Sequence, residues 1–185
     1  LTVRGNDLHG VRSDGMNFVS VQKATIEDNV IHDFRASFAS SDHRDMIQFW
    51  TAGTDRPSTD VTIRNNILNS GAGGFTQSIF MRNEVVDRGE AGTEMYYRDV
   101  TIEGNVIVNS HLHGITVGEA EGLTIRNNTL VHNARTDGDG GSPALWTPRI
   151  NLSSRSQRVE VTGNIVSEVV VGRNDRATER PGWRI

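Results

Sequence analysis

An asparagine recurs along this chain in a fixed setting, apolar-x-apolar-x-x-Asn-x-apolar, and no other feature limits the fold as much. The pattern reads Leu1, Val3, Asn6, Leu8; then Ala24, Ile26, Asn29, Ile31; then Val61, Ile63, Asn66, Leu68. It returns as Val100, Ile102, Asn105, Ile107; as Leu123, Ile125, Asn128, Leu130; and as Val159, Val161, Asn164, Val166. Successive asparagines are 23, 37, 39, 23 and 36 residues apart, so two spacings of 23 set the period and the others add 13 to 16 residues to it. Periods of about 20 to 50 residues build solenoids or arrays. Apolar positions alternate with period two inside each repeat, which excludes helical repeats and calls for short strands. An asparagine between two such strands suits a tight bend, because its side chain tolerates the left-handed region and bonds nearby backbone. Stacked coil on coil, the asparagines bond one another in a ladder. They are scaffold.

Each coil needs one more strand upstream of the pattern, and the two shortest coils locate it. Met16 and Phe18 precede Ala24 by eight and six residues, and Ile115 and Val117 precede Leu123 likewise. The matching inward pairs elsewhere are Ile47/Phe49, Ile79/Met81 and Ile150/Leu152. Aligning these pairs predicts columns on an outer face: Asp14, Asp45, Gln77, His113, Pro148; then Gly15, Met46, Ser78, Gly114, Arg149. Further columns are Asn17, Gln48, Phe80, Thr116, Asn151 and Val19, Trp50, Arg82, Gly118, Ser153. Neighbours within a column are about 4.8 Å apart and in side-chain contact. The insertions, 34–43 and 133–148 before this strand and 51–60 and 83–99 after it, would wall a groove with the strand as floor. The expected solenoid covers residues 1–171, and 172–185 lose the pattern and read as a polar exit or linker.

The 185 residues suffice for one domain with a real core. Nineteen glycines and four prolines fit many turns, and the lack of cysteine excludes disulfides without assigning a compartment. A net charge of −4 argues against nucleic acid as partner, and no apolar run approaches the roughly 20 residues of a membrane span. The chain opens in the middle of a repeat, so a piece of a longer protein is expected, with targeting information outside it.

Chemistry-bearing residues concentrate at Ser41-Asp42-His43-Arg44-Asp45-Met46-Ile47-Gln48-Phe49-Trp50. Asp14 and Asp45 share a column on neighbouring coils, where paired carboxylates share a proton, bind a cation, or serve as acid and base. His43 and His113 are the candidate proton shuttles. Together these four form the expected catalytic set. Asp42, Arg44, Gln48, Gln77 and His111 complete a polar binding face, and Arg82 could grip a sugar carboxylate in forked geometry or pair with Glu84 or Glu94. Trp50 and Phe80 are outward aromatics on which sugar rings stack. Tyr96 and Tyr97 could supply a phenol acid. No motif assigns a metal or cofactor. Calcium is the one candidate cation, although Asp137-Gly138-Asp139-Gly140 lacks the full ligand spacing of a calcium loop. Oligomeric state is not legible.

The ladder, short strands and period near 23 resemble the right-handed parallel β-helix of the pectate-lyase type over almost the whole chain. That resemblance implies an all-β fold of about six coils. Asp42-His43-Arg44-Asp45-Met46-Ile47-Gln48-Phe49-Trp50-Thr51 is similar to an Asp-His-x-Asp-x-Ile-Gln-Phe-Trp-Thr stretch of bacterial β-helix proteins, many fused to calcium-binding repeats. Gln77-Ser78-Ile79-Phe80-Met81 and His113-Gly114-Ile115 fit the same pattern. The wider group acts on acidic polysaccharides and includes alginate C5-epimerases, β-helix lyases and tail-spike depolymerases. It implies a secreted or cell-surface protein that works on a uronic-acid polymer by lyase or epimerase chemistry. The alginate epimerases carry a tyrosine-containing motif ending Asp-Pro-His, whereas Asp42 and His43 are adjacent here. Hydrolysis by Asp14 and Asp45, or glycan binding without catalysis, are the alternatives.

Overall fold

In the computed structural model, residues 1–35, 41, 43–72, 76–136, 143–172, 175–176 and 182–185 are described. Asp42 and the Asp137-Gly138-Asp139-Gly140 stretch lie outside the described residues.

The alternating segments form strands that wind into a parallel β-helix with three sheets. The first sheet runs Thr2–Arg4, Gln22–Glu27, Thr59–Arg64, Tyr97–Glu103, Ala120–Arg126, Gln157–Thr162 and Trp183–Arg184. The second comprises Asp7–His9, Val30–His32, Ile67–Asn69, Val106–Asn109 and Thr129–His132. The third, upstream of the asparagine pattern, holds Met16–Val19, Asp45–Trp50, Gln77–Met81, His113–Val117, Arg149–Leu152, Val169–Val171 and Asp175–Arg176. Every pairing within these sheets is parallel except that of Val169–Val171 with Asp175–Arg176. The expected all-β parallel solenoid is therefore the fold observed. Inward aliphatic residues stack in columns, Ala24, Val61, Val100, Leu123 and Val159 among them, and merge into one core. Late in the chain, Trp183 joins that core and donates its indole N–H to the Ser156 carbonyl at 3.1 Å.

The asparagine ladder runs from Asn6 to Asn164. Each amide nitrogen donates to the next asparagine's Oδ1 at 2.8 or 2.9 Å, and that oxygen also accepts a backbone N–H from the previous coil. The left-handed backbone falls one residue earlier than the sequence suggests. Gly5, Asp28, Asn65, Gly104, Asn127 and Gly163 carry φ between 55° and 64°, which frees the ladder asparagines to turn inward.

On the outside of the first sheet, the residues two before the first five ladder asparagines stand in one row: Arg4, Glu27, Arg64, Glu103, Arg126. Their charges alternate. Glu27 accepts from Arg64 at 2.7 Å and Glu103 from Arg126 at 2.7 Å.

The 83–99 insertion builds a small satellite core from Val85, Val86, Met95 and Tyr96 around the helix Glu84–Asp87 and the turn Thr93–Met95. Both tyrosines are buried. The Tyr97 hydroxyl donates to the Arg82 carbonyl at 2.7 Å, and burial pushes its phenol well up, so the expected phenol acid does not face the groove.

Candidate functional site

The third sheet positions the chemistry, and most of its register follows the sequence alignment. Asn17 pairs with Gln48, Gln48 with Phe80, Phe80 with Thr116 and Thr116 with Asn151, forming one outward row. Two departures matter. Met46 and Ser78 were expected outside, yet both are fully buried, Met46 in the core and Ser78 accepting from Asn109 at 2.8 Å. Met46 and Ile47 thus both point inward, while Asp45 and Gln48 each lie 3.4 Å from His43 Nδ1. At the other end the register shifts between His113 and Ile115, so His113 stands opposite Arg149 instead of Pro148. Gly114 occupies that irregularity, where a Cβ would lie 2.7 Å from Leu130 Cδ2.

One polar corner forms where the first two coils meet. Gly15 permits a close approach: a Cβ there would sit 2.7 Å from the Met46 carbonyl oxygen, and its N–H donates to the Asp45 carbonyl at 2.8 Å. Asp14 Oδ1 accepts the Asp45 backbone N–H at 2.9 Å and lies 3.2 Å from His43 Nδ1, while Asn17 donates to Oδ2 at 3.2 Å. Ser13 pins the His43 carbonyl at 2.9 Å. Asp45 corrects the expectation of an outer-face acid: its side chain is 0% exposed, against 16% for Asp14 and 53% for His43. Burial pushes the Asp45 carboxyl up to about 7, the nearby His43 opposing and Asp14 reinforcing that shift. Neither carboxylate oxygen has a hydrogen-bond partner, and the same holds for Oε1 of Gln77, the register partner of Asp45.

Two coils on, an open groove of about 510 Å³ is lined by Phe80, Arg82, His113, Thr116, Asn151 and Arg155, among others. Phe80 stands between two imidazoles, its ring centroid 6.5 Å from His43 and 5.1 Å from His113. His113 Nδ1 lies 2.7 Å from the Thr116 hydroxyl, which leaves Nε2 as the nitrogen for a ligand. Burial, with help from Arg149, lowers the His113 pKa to about 4, so the ring is neutral at pH 7. His111 is buried behind it, stacked at 5.1 Å, and accepts the His113 backbone N–H at 3.0 Å. Burial, then His113 and Arg44, lower the His111 pKa to about 3. His111 thus braces His113 more than it faces the groove.

Arg82 reaches the groove but pairs with Asp87 at 3.1 Å, where the sequence pointed to Glu84 or Glu94. Glu84 instead accepts the Thr51 N–H at 2.8 Å. Trp50 is half-buried beside Val19 in the register and does not line the groove. Arg155, missed in the sequence, joins the groove from a turn and pairs with Glu119 at 2.6 Å. A turn residue outside the strand columns carries no periodic signal. Hollows of about 570 and 530 Å³ lie elsewhere, on the first sheet and beside Ala144, but neither is lined by a histidine.

A family model described as "Right handed beta helix region" matches residues 1–130 and 47–172. The chain belongs to the right-handed β-helix family. No curated protein matches it. Among the described residues no helix is long and apolar enough to cross a membrane.

Proposed function

We propose that this β-helix protein binds an acidic polysaccharide along the third sheet and removes the C5 proton of a uronic-acid unit, as a lyase in the first instance. The observation behind this reading is the groove that brings Phe80, His113 and Arg82 together. A sugar ring resting on Phe80 puts its C5 proton beside an imidazole that is neutral and therefore able to take it. Arg82, exchanging Asp87 for the sugar carboxylate, would stabilise the charge that develops there. His113 takes the proton; the C5 electron pair forms the C4–C5 double bond as the C4–oxygen bond breaks. The imidazolium then returns the proton to the leaving oxygen. Delivery to the opposite face of C5 instead would make an epimerase. Thr116 and Asn151, which line the same groove, would bond hydroxyls. The hydrolase alternative has weaker support, since the fully buried Asp45 carboxylate has no access to a glycosidic oxygen. A secreted or cell-surface setting fits such a substrate.

A panel of uronic-acid polymers followed by ultraviolet absorbance tests this. Absorbance rises on at least one polymer, and His113→Ala lowers the rate by about 10²-fold or more. Unchanged rates in that variant would sink the role of His113. A flat trace, with product analysis showing neither epimerisation nor cleavage, would reduce the protein to a glycan-binding module.

A further inference from the structure

We infer that the corner formed by Asp14, His43 and Asp45 is a binding site for a first-row divalent cation of the zinc or manganese class. One ligand atom from each residue can be chosen so that all lie within 4.8 Å of one another. Ions of this class hold nitrogen and oxygen ligands at about 2.0–2.2 Å, which puts opposite ligands within that separation. An acidic cluster alone would be unremarkable on a surface, but Asp45 is not on the surface. Its carboxylate is fully buried and both oxygens lack a hydrogen-bond donor. Buried charges are as a rule paired, hydrogen-bonded or bound to metal, and an uncompensated one costs several kcal/mol.

The side chain nearest the Asp45 carboxylate does not meet that need. His43 Nδ1 is 3.2 Å from Asp14, 3.4 Å from Asp45 and 3.4 Å from Gln48 Nε2, so one nitrogen faces three polar groups and sits tightly against none. In its neutral form with the proton on Nε2, His43 would turn the Nδ1 lone pair toward both carboxylates, as in a metal ligand set. Gln77, opposite Asp45 on the following coil, adds a buried carbonyl oxygen that also lacks a donor. Three coils thus converge on the corner, and the donors there serve Asp14 while the buried oxygens of Asp45 and Gln77 go without one. Calcium, the candidate cation from the sequence, takes six to eight oxygen ligands. An imidazole with two carboxylates fits zinc or manganese better. His43 is half exposed, so an ion held here would be reachable from solvent.

The test needs no polysaccharide, so it stands or falls separately from the lyase reading. Chelator-treated protein is titrated calorimetrically with zinc chloride, manganese chloride and calcium chloride, and its melting temperature is followed with each. One zinc or manganese ion should bind per chain and raise the melting temperature. His43→Ala, at an exposed side chain that leaves the core intact, should weaken binding by about 10²-fold. Asp45→Asn should abolish binding and, at pH 8 where the carboxyl is ionised, raise the melting temperature of the metal-free protein, because a buried charge is removed. Three results would overturn the site: no zinc or manganese uptake by the wild type, equal uptake by both variants, or calcium binding alone.

Discussion

Replacing Asn105 by alanine should lower stability by about 4 kcal/mol, a large effect for one polar side chain. Its Oδ1 accepts both the backbone N–H and the side-chain amide of Asn66, at 3.0 and 2.9 Å. Its own amide donates to the Ile63 carbonyl and to Asn128 Oδ1. The alanine variant leaves the Asn66 N–H and the Ile63 carbonyl buried without these partners, and each such group costs about 1–3 kcal/mol. Asn105→Asp separates hydrogen bonding from volume. It retains the acceptor but sets a carboxylate oxygen against the Ile63 carbonyl, so it too should destabilise. Urea unfolding of the three proteins decides the matter: a loss under about 1 kcal/mol in the alanine variant would mean that water replaces the ladder at little cost.

Acidification from pH 6.5 to 4.5 should cost stability, with His111 and His113 as the source. An unfolded histidine titrates near 6.5, whereas these two titrate in the fold at about 3 and about 4. Between those values the unfolded chain holds two protons that the native state does not, so stability is full above 6.5 and drains as pH falls toward the folded values. Two protons correspond to about 2.7 kcal/mol per pH unit. Asp45 works in the other direction. Its carboxyl, raised to about 7 in the metal-free protein, contributes stability that is present below about 4 and lost as pH rises through 7. The net slope around pH 5 is then about one proton, roughly 1.4 kcal/mol per unit, with a maximum near pH 7. In His111→Gln the remaining histidine and Asp45 nearly cancel, and the profile should flatten there. Parallel profiles for wild type and variant would contradict this assignment.

How far the sequence carried depended on whether a property was periodic. The third-sheet row Asn17, Gln48, Phe80, Thr116, Asn151 was readable because inward apolar pairs fix the register of everything between them. The burial of Asp45 was not readable. Consecutive inward residues at Met46 and Ile47 break the alternation, and two apolar neighbours in a row carry no mark of which way each points. The shift at Gly114, which sets His113 against Arg149, is hidden for the same reason. His43 and Asp14 were nominated from residue type and column; that they meet at 3.2 Å depends on the loop before the second coil, which has no counterpart in the shortest coils. The alternating row from Arg4 to Arg126 was legible in principle, at two residues before the first five ladder asparagines.

That row bears on how the chain finds its stacking order. Every coil offers much the same aliphatic interior and the same asparagine, so neither tells a coil which neighbour is its own. A chain that skipped one coil while folding could still stack apolar residues and amides almost correctly. It would, however, set Arg4 beside Arg64, or Glu27 beside Glu103, like charges directly opposite in adjacent strands. Each contact is weak at an exposed site, but the penalty grows with every misplaced coil. The sign of the charge thus acts as a parity label, distinguishing odd coils from even ones where the repeat otherwise makes them interchangeable.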